Sequence, residues 1–177
     1  MVSDIYCISI SRDLGAALKI GVPVAWMLTS SGTSATISFF VAWVKCISPA
    51  VQPAIIMTDR DQVQIAALHA VYPRSQIYLC TWHILRAIRS HFVTTEFPGL
   101  WDKIKKLVNT DDLATFFTLW DKICTDPSVP RSLVKYLATR WMPEVYMWSK
   151  TVRKERSIYE EGDTNMLIEA YVNAFFI

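Results

Sequence analysis

IIMTDRDQVQIAALHAVYPRSQIYLCTWH, residues 55–83, decides the fold class of this chain. A short apolar run of buried-strand length, residues 53–58, leads to Asp59 where the strand ends, and then into a helix rich in small residues. A second such run, Gln76 to Cys80, follows, and His83 lies three residues past its end. Two short apolar runs joined by a helix predict neighbouring parallel strands of an α/β sheet. Chain leaving the carboxyl ends of such strands converges on one crevice, which is where ligands bind in open α/β sheets. Asp59 and the Cys80/His83 pair are therefore expected to face a shared site.

Upstream of this stretch, Ile5 to Ser11 alternates apolar and polar residues as a half-buried strand does. Val22 to Thr29 reads as a second strand, and the two predict an antiparallel hairpin with a long loop over residues 12–21. Pro23 favours an edge, or a position where no ladder N–H is needed. Ser30, Ser31, Gly32 and Thr33 mark a helix entrance. The helix from Ser34 to about Ile47 is apolar nearly all round, which predicts packing between the sheet and its neighbours, and Ser48-Pro49 ends it. Within the opening stretch, the helix over 60–72 carries Val63, Ala66, Ala67, Ala70 and Val71, whose small side chains predict close packing on a sheet. A further helix is expected from about 81 to 93. Together these elements predict a mixed sheet with covering helices.

Beyond Phe97-Pro98 the pattern turns to helices alone. Leu100, Ile104, Leu107 and Val108 make one apolar stripe; Leu113, Phe116, Phe117, Trp120, Ile123 and Cys124 a second; Leu133, Val134, Leu137 and Trp141 a third. Thr110 or Asp111, and Ser128 before Pro130, are the expected helix starts. Lys150 to Gly162 is charged and reads as exposed. A last helix is expected over 164–177, with Met166, Leu167, Ala170, Tyr171 and Ala174 on one side and Asn165, Glu169 and Asn173 on the other.

At 177 residues and 52% apolar content the chain suits one domain, or one domain with an insertion. Its net charge of +2 gives no general argument for nucleic-acid binding. The four cysteines at 7, 46, 80 and 124 show no paired short spacing and no secretory segment precedes them, which predicts a reduced, intracellular protein. The most apolar window, Ile37 to Ile47, is about half of what a bilayer span needs and contains Lys45, so no membrane association is expected. Met1 is followed almost at once by strand-like sequence, and the chain stops at Phe175-Phe176-Ile177, so both ends read as truncated.

Four blocks, GVPVAWMLTSS (21–31), IIMTDRDQ (55–62), the run from Pro73 through LCTWHILR (79–86) and TNMLIEAYVNAF (164–175), resemble in order and spacing a Mutator-like element (MULE) transposase. Any one block is weak, since an Asp after a strand and a C-x-x-H step are both common; the four in register are specific. The resemblance implies an RNase H-like mixed sheet with its first strand missing, followed by helices. It divides the chain into a partial RNase H-like α/β core (1–93), an all-helical insertion (94–162) and a helix returning to the core (163–177). The family's chemistry is DNA strand cleavage and transfer by three carboxylates that hold two Mg²⁺ or Mn²⁺ ions, hard cations that prefer oxygen ligands. By resemblance Asp59 is the second acidic residue, Glu169 the third, and Cys80 and His83 the C-x-x-H pair, with His83 near the scissile phosphate. The implied partner is DNA at transposon ends, bound by an oligomeric transposase in the nucleus.

The first acidic residue has no counterpart. In the family layout GVPVAW occupies the third strand, so residues 5–11 are the second and the first should lie before Met1. Asp4 precedes the strand and Asp13 follows it in the turn, so neither falls on the missing one. These 177 residues are therefore expected to be a transposase fragment that does not cut DNA by itself. The competing reading is a domesticated descendant that acts by contacting DNA or protein without catalysis. A small nucleotide-binding domain would need a Gly-rich phosphate loop after a strand, and none is present.

Each candidate also has a purely structural reading. Asp59 could cap the following helix, worth about 1 kcal/mol, with Asp61 a first-turn acid favoured by the helix dipole. Cys80 could be a small core residue. A structural zinc would need about four ligands, and Cys7, Cys46, Cys124, His69 and His91 offer no second matching pair. Arg86, Arg89, Lys103, Lys105 and Lys106 could form a phosphate-facing patch, but nearby Glu96 and Asp102 weaken that and a solvated helix face is the expected account. The aromatics of 97–148 read as core before base-stacking platforms.

Overall fold

The computed structural model describes residues 4–13, 19–97 and 99–152. The expected helix over 164–177, and Glu169 with it, lies outside the described residues. Among the described residues the fold is mixed α/β: two two-stranded sheets and a succession of helices, falling into two compact units, one ending at Ile77 and one beginning at Tyr78. The sequence predicts one mixed sheet, whereas the two strand pairs here form separate sheets.

In the first unit, β1 (Asp4–Asp13) and β2 (Lys19–Thr29) form the expected antiparallel hairpin, longer at each end than the alternation suggested. Asp4 and Asp13 are the terminal residues of β1, paired with Thr29 and Lys19, rather than lying before and after the strand. The register steps between Ile8 and Ser9: Ile8 pairs with Ala25 and Ser9 with Pro23, so Val24 is the extra residue. Pro23, which has no N–H to give, sits at this break in the ladder.

Helix α1 (Ser34–Ile47) has the bounds read from the sequence, because the local signals agree. The Thr33 hydroxyl accepts the Thr36 N–H at 3.2 Å as N-cap, and Pro49 follows the end. β3 (Ile55–Thr58) leads to α2 (Gln62–Val71), and β4 (Gln76–Leu79) pairs with β3. Helix α2 packs chiefly on α1: Ala67 is fully buried among Ile37, Val41 and Tyr72, with the strand residues Ile8 and Ile56 packed against the cluster, while Ala66 and Ala70 are exposed. Lys45 ties the two helices together, donating to the Val71 carbonyl at 2.7 Å with its ammonium 5.0 Å from the Tyr72 ring.

The all-round apolarity of α1 predicts burial on every side, yet only Ile37, Phe40 and Val41 are buried, while Phe39, Trp43 and Ile47 form an exposed stripe at i, i+4, i+8. Phe39 is 74% exposed and its neighbour Phe40 5%. Phe39→Ser is therefore expected to change stability by no more than about 0.5 kcal/mol, while Phe40→Ala costs about 3–5 kcal/mol. Chemical denaturation of the two variants checks this, and equal losses would place α1 the wrong way round.

The second unit is helical: α3 (Thr81–Arg89), α4 (Leu100–Asn109), α5 (Leu113–Thr125), α6 (Arg131–Tyr136) and α7 (Val145–Trp148). Helix α3 ends four residues earlier than expected. The α4 stripe of Leu100, Ile104, Leu107 and Val108 is buried throughout. The second stripe divides: Phe116 and Ile123 are buried, Leu113 and Phe117 exposed. Neither expected cap residue starts α5; Asp112 does, its carboxylate accepting the Thr115 N–H at 2.7 Å. Ser128 does not start α6 either, because its hydroxyl and N–H are both given to Asp126, and Pro130 occupies the cap position.

After α6 the chain widens into a π-helical turn, Leu137–Trp141, closed by the Met142 N–H on the Leu137 carbonyl. The wide turn keeps Leu137 and Trp141 buried, and the Trp141 carbonyl accepts the Trp148 indole N–H at 2.8 Å. No described helix is long and apolar enough to cross a membrane.

Candidate functional site

Asp59 stands one residue beyond β3 and is half-buried. The backbone on either side of it is held: the buried Thr58 hydroxyl donates to Gln64 Oε1 at 2.8 Å, and the Asp61 carboxylate accepts the Val63 N–H at 2.9 Å. Asp61 is thus the N-cap of α2. This corrects two sequence readings: Asp59 does not cap the helix, and Asp61 is not a first-turn acid. Asp59 has interactions of its own, and its place is the segment between strand and helix.

The opposite end of β3, where the strand begins, is fixed as well. The Ser75 hydroxyl donates to the Pro53 carbonyl at 2.5 Å and the Gln76 N–H to the Ala54 carbonyl at 2.9 Å, aligning the start of β4 with the approach to β3. A short strand, a pinned turn and a capped helix together make a rigid mount for one carboxylate.

Cys80 and His83 belong to the second unit and meet on the first turn of α3. Cys80 holds the N-cap position, φ −63° and ψ 120°, with its carbonyl accepting the Ile84 N–H at 3.1 Å; its thiol does not cap the helix and the residue is wholly buried. His83, one turn on, is half-buried, with Nδ1 inside the protein and its ring edge-on to Trp82, centroids 4.7 Å apart. His69 is an exposed α2 residue, and His91 lies beyond α3, stacked on Tyr136 with centroids 3.6 Å apart.

The described residues supply one rigid carboxylate in the first unit and a Cys–His turn in the second. A two-metal centre needs several carboxylates around its ions, and no three His, Cys, Asp or Glu side chains gather into such a set among the described residues. They do not by themselves build a divalent-metal site.

From the sequence, the basic residues of 86–106 are weighed as a phosphate-facing patch and a solvated face is preferred; their pairing with tryptophan rings is not foreseen. Arg86 lies over the Trp82 ring, and Arg89 and Lys105 lie over the Trp101 ring. The available signal was the i, i+4, i+7 spacing of Trp82, Arg86 and Arg89, which puts all three on one helix face.

Residues 16–87 match the family model of the MULE transposase domain. The match takes in Asp59, Cys80 and His83 and ends before α4. No curated protein matches the chain.

Proposed function

From a chain that carries a MULE transposase domain match over residues 16–87, we propose that it is part of the catalytic domain of a Mutator-like DNA transposase, built on an RNase H-like core with a helical insertion. The observation that carries this reading is that one family match encloses the strand-end Asp59 and the Cys80–His83 turn together. In this reading Asp59 offers a hard oxygen ligand from its pinned turn, and Glu169 offers another. His83 donates to a phosphate oxygen of the DNA, and buried Cys80 sets the turn that presents it. The divalent ions of this family, when bound, stabilise the attacking and leaving oxygens of a phosphodiester displacement. The domain limits are then 1–93 for the core, 94–162 for the insertion and 163–177 for the returning helix. The intact transposase acts as an oligomer on DNA in the nucleus.

We further propose that these 177 residues do not cut DNA by themselves, because the family's first carboxylate has no counterpart among them. With Mn²⁺ present, the chain is expected to leave supercoiled plasmid intact. Nicking that disappears in Asp59→Asn would overturn the proposed inactivity while keeping Asp59 as a ligand. Weak Mn²⁺ binding, followed by electron paramagnetic resonance, is expected to fall in both Asp59→Asn and Glu169→Gln. Binding unchanged by either substitution would remove both residues from the metal site.

A further inference from the structure

We propose that α3 and α4 carry a preorganised stripe that binds the phosphate backbone of double-stranded DNA without reading its sequence. The choice of DNA over other polyanions rests on the transposase reading above; the stripe itself rests on geometry. Along α3, Trp82, Arg86 and Arg89 share one face, and the line continues onto α4 through Trp101 and Lys105, one turn apart. The Arg86 guanidinium lies 5.0 Å from the Trp82 ring centroid, and the Arg89 guanidinium and Lys105 ammonium lie 5.8 and 6.0 Å from that of Trp101. Phe92 braces Trp101 with its centroid 6.2 Å away.

Charge is concentrated here. Residues 81–109 carry five Lys/Arg against two Asp/Glu, a net of +3 in a chain whose total is +2, so the remainder is net negative. Arg86 and Arg89 are exposed. Long cationic side chains normally lose rotamer freedom when they grip a phosphate. Cations already resting on indole rings have given up part of that freedom before any phosphate arrives.

Two lysines carry less weight than the arginines. Lys103 is committed to Asp126 at 2.7 Å, and that ion pair with the two Ser128 hydrogen bonds holds the Asp126 carboxyl well below the usual carboxylate range. Lys105 shares its charge with Asp102 at 2.8 Å and counts only in part. The tryptophans act as platforms for cations: their partners are Arg86, Arg89 and Lys105, which points to backbone contact rather than base stacking. The seven-residue rise from Trp82 to Arg89 is about 10 Å, against one duplex charge per roughly 1.7 Å of axis, so the stripe spans several phosphates.

The test is fluorescence anisotropy of the whole chain with a short random-sequence DNA duplex across a salt series. For two to three phosphate contacts the log–log slope should be roughly −1.8 to −2.7, and affinity should fall by about 12- to 40-fold between about 50 and 200 mM salt. The triple variant Arg86→Gln/Arg89→Gln/Lys105→Gln is expected to flatten that slope, whereas Lys122→Gln/Lys135→Gln, on α5 and α6, is expected to retain it. The proposal is overturned if the triple variant, folded by circular dichroism, binds as the parent does. It is also overturned if duplex binding is absent while anionic phosphatidylserine vesicles are bound, or if only single strands bind. No cleavage enters the assay. Failure here therefore leaves the Asp59 and Glu169 reading intact, and failure of that reading leaves duplex binding by the stripe in place.

Discussion

Trp148→Ala is expected to destabilise the second unit by about 3–5 kcal/mol, the loss typical of deleting a large buried aromatic. Trp148 is only 2% exposed, its ring lies 5.9 Å from that of Phe116, and its indole N–H closes on the Trp141 carbonyl. Truncation would open a cavity between α7 and α5 and remove the donor to a carbonyl at the edge of the π-helical turn. A loss of this size approaches the whole stability of a small domain. Trp148→Phe separates the two contributions: it keeps most of the apolar contact and removes the hydrogen bond, at a cost of about 1–3 kcal/mol. Urea denaturation followed by far-ultraviolet circular dichroism measures both. A Trp148→Ala loss well below this range, under about 1 kcal/mol, would mean that the ring is not packed as described.

Ala67→Leu is expected to cost about 1–3 kcal/mol by overpacking the first unit. Ala67 has no exposed surface and lies in the cluster with Ile37, Val41 and Tyr72, where α2 approaches α1. The added side-chain carbons must either push the helices apart or force a neighbour off its rotamer, and Lys45, tied to the Val71 carbonyl, resists separation. Ala66→Leu is the control, since Ala66 is exposed and leucine is a good helix former; it should be neutral within about 0.5 kcal/mol. Equal effects from the two substitutions would show that the buried face of α2 has been misidentified.

The parts legible in the sequence were those where several local signals coincide. Helix α1 came out with its bounds intact because a Thr cap and a Pro stop bracket it, and the α4 stripe because every one of its apolar positions is buried. The parts misread were choices between chemically equivalent neighbours. Asp59 and Asp61 are two residues apart and either could cap a helix; only the backbone geometry gives the role to Asp61. Thr110, Asp111 and Asp112 pose the same choice for α5, and the chain uses the last. Apolarity of α1 said that the helix is greasy but not that part of it faces outward, because periodicity is lost when both faces are apolar. For the candidate site, Asp59, Cys80 and His83 were visible as residue types at strand and helix ends. The contact of Arg89 with the Trp101 ring was not, because it depends on α3 and α4 lying side by side.

The register step at Pro23 and Val24 bears on self-association. A regular hairpin of ten- and eleven-residue strands offers two long rows of backbone donors and acceptors, a template onto which a further strand can dock. Among the described residues β1 and β2 hydrogen-bond as strands only with each other. An extra residue bends and twists the strand locally, and the proline beside it has no N–H to offer. The irregularity that looks like a flaw in the ladder is thus a safeguard against edge-to-edge growth.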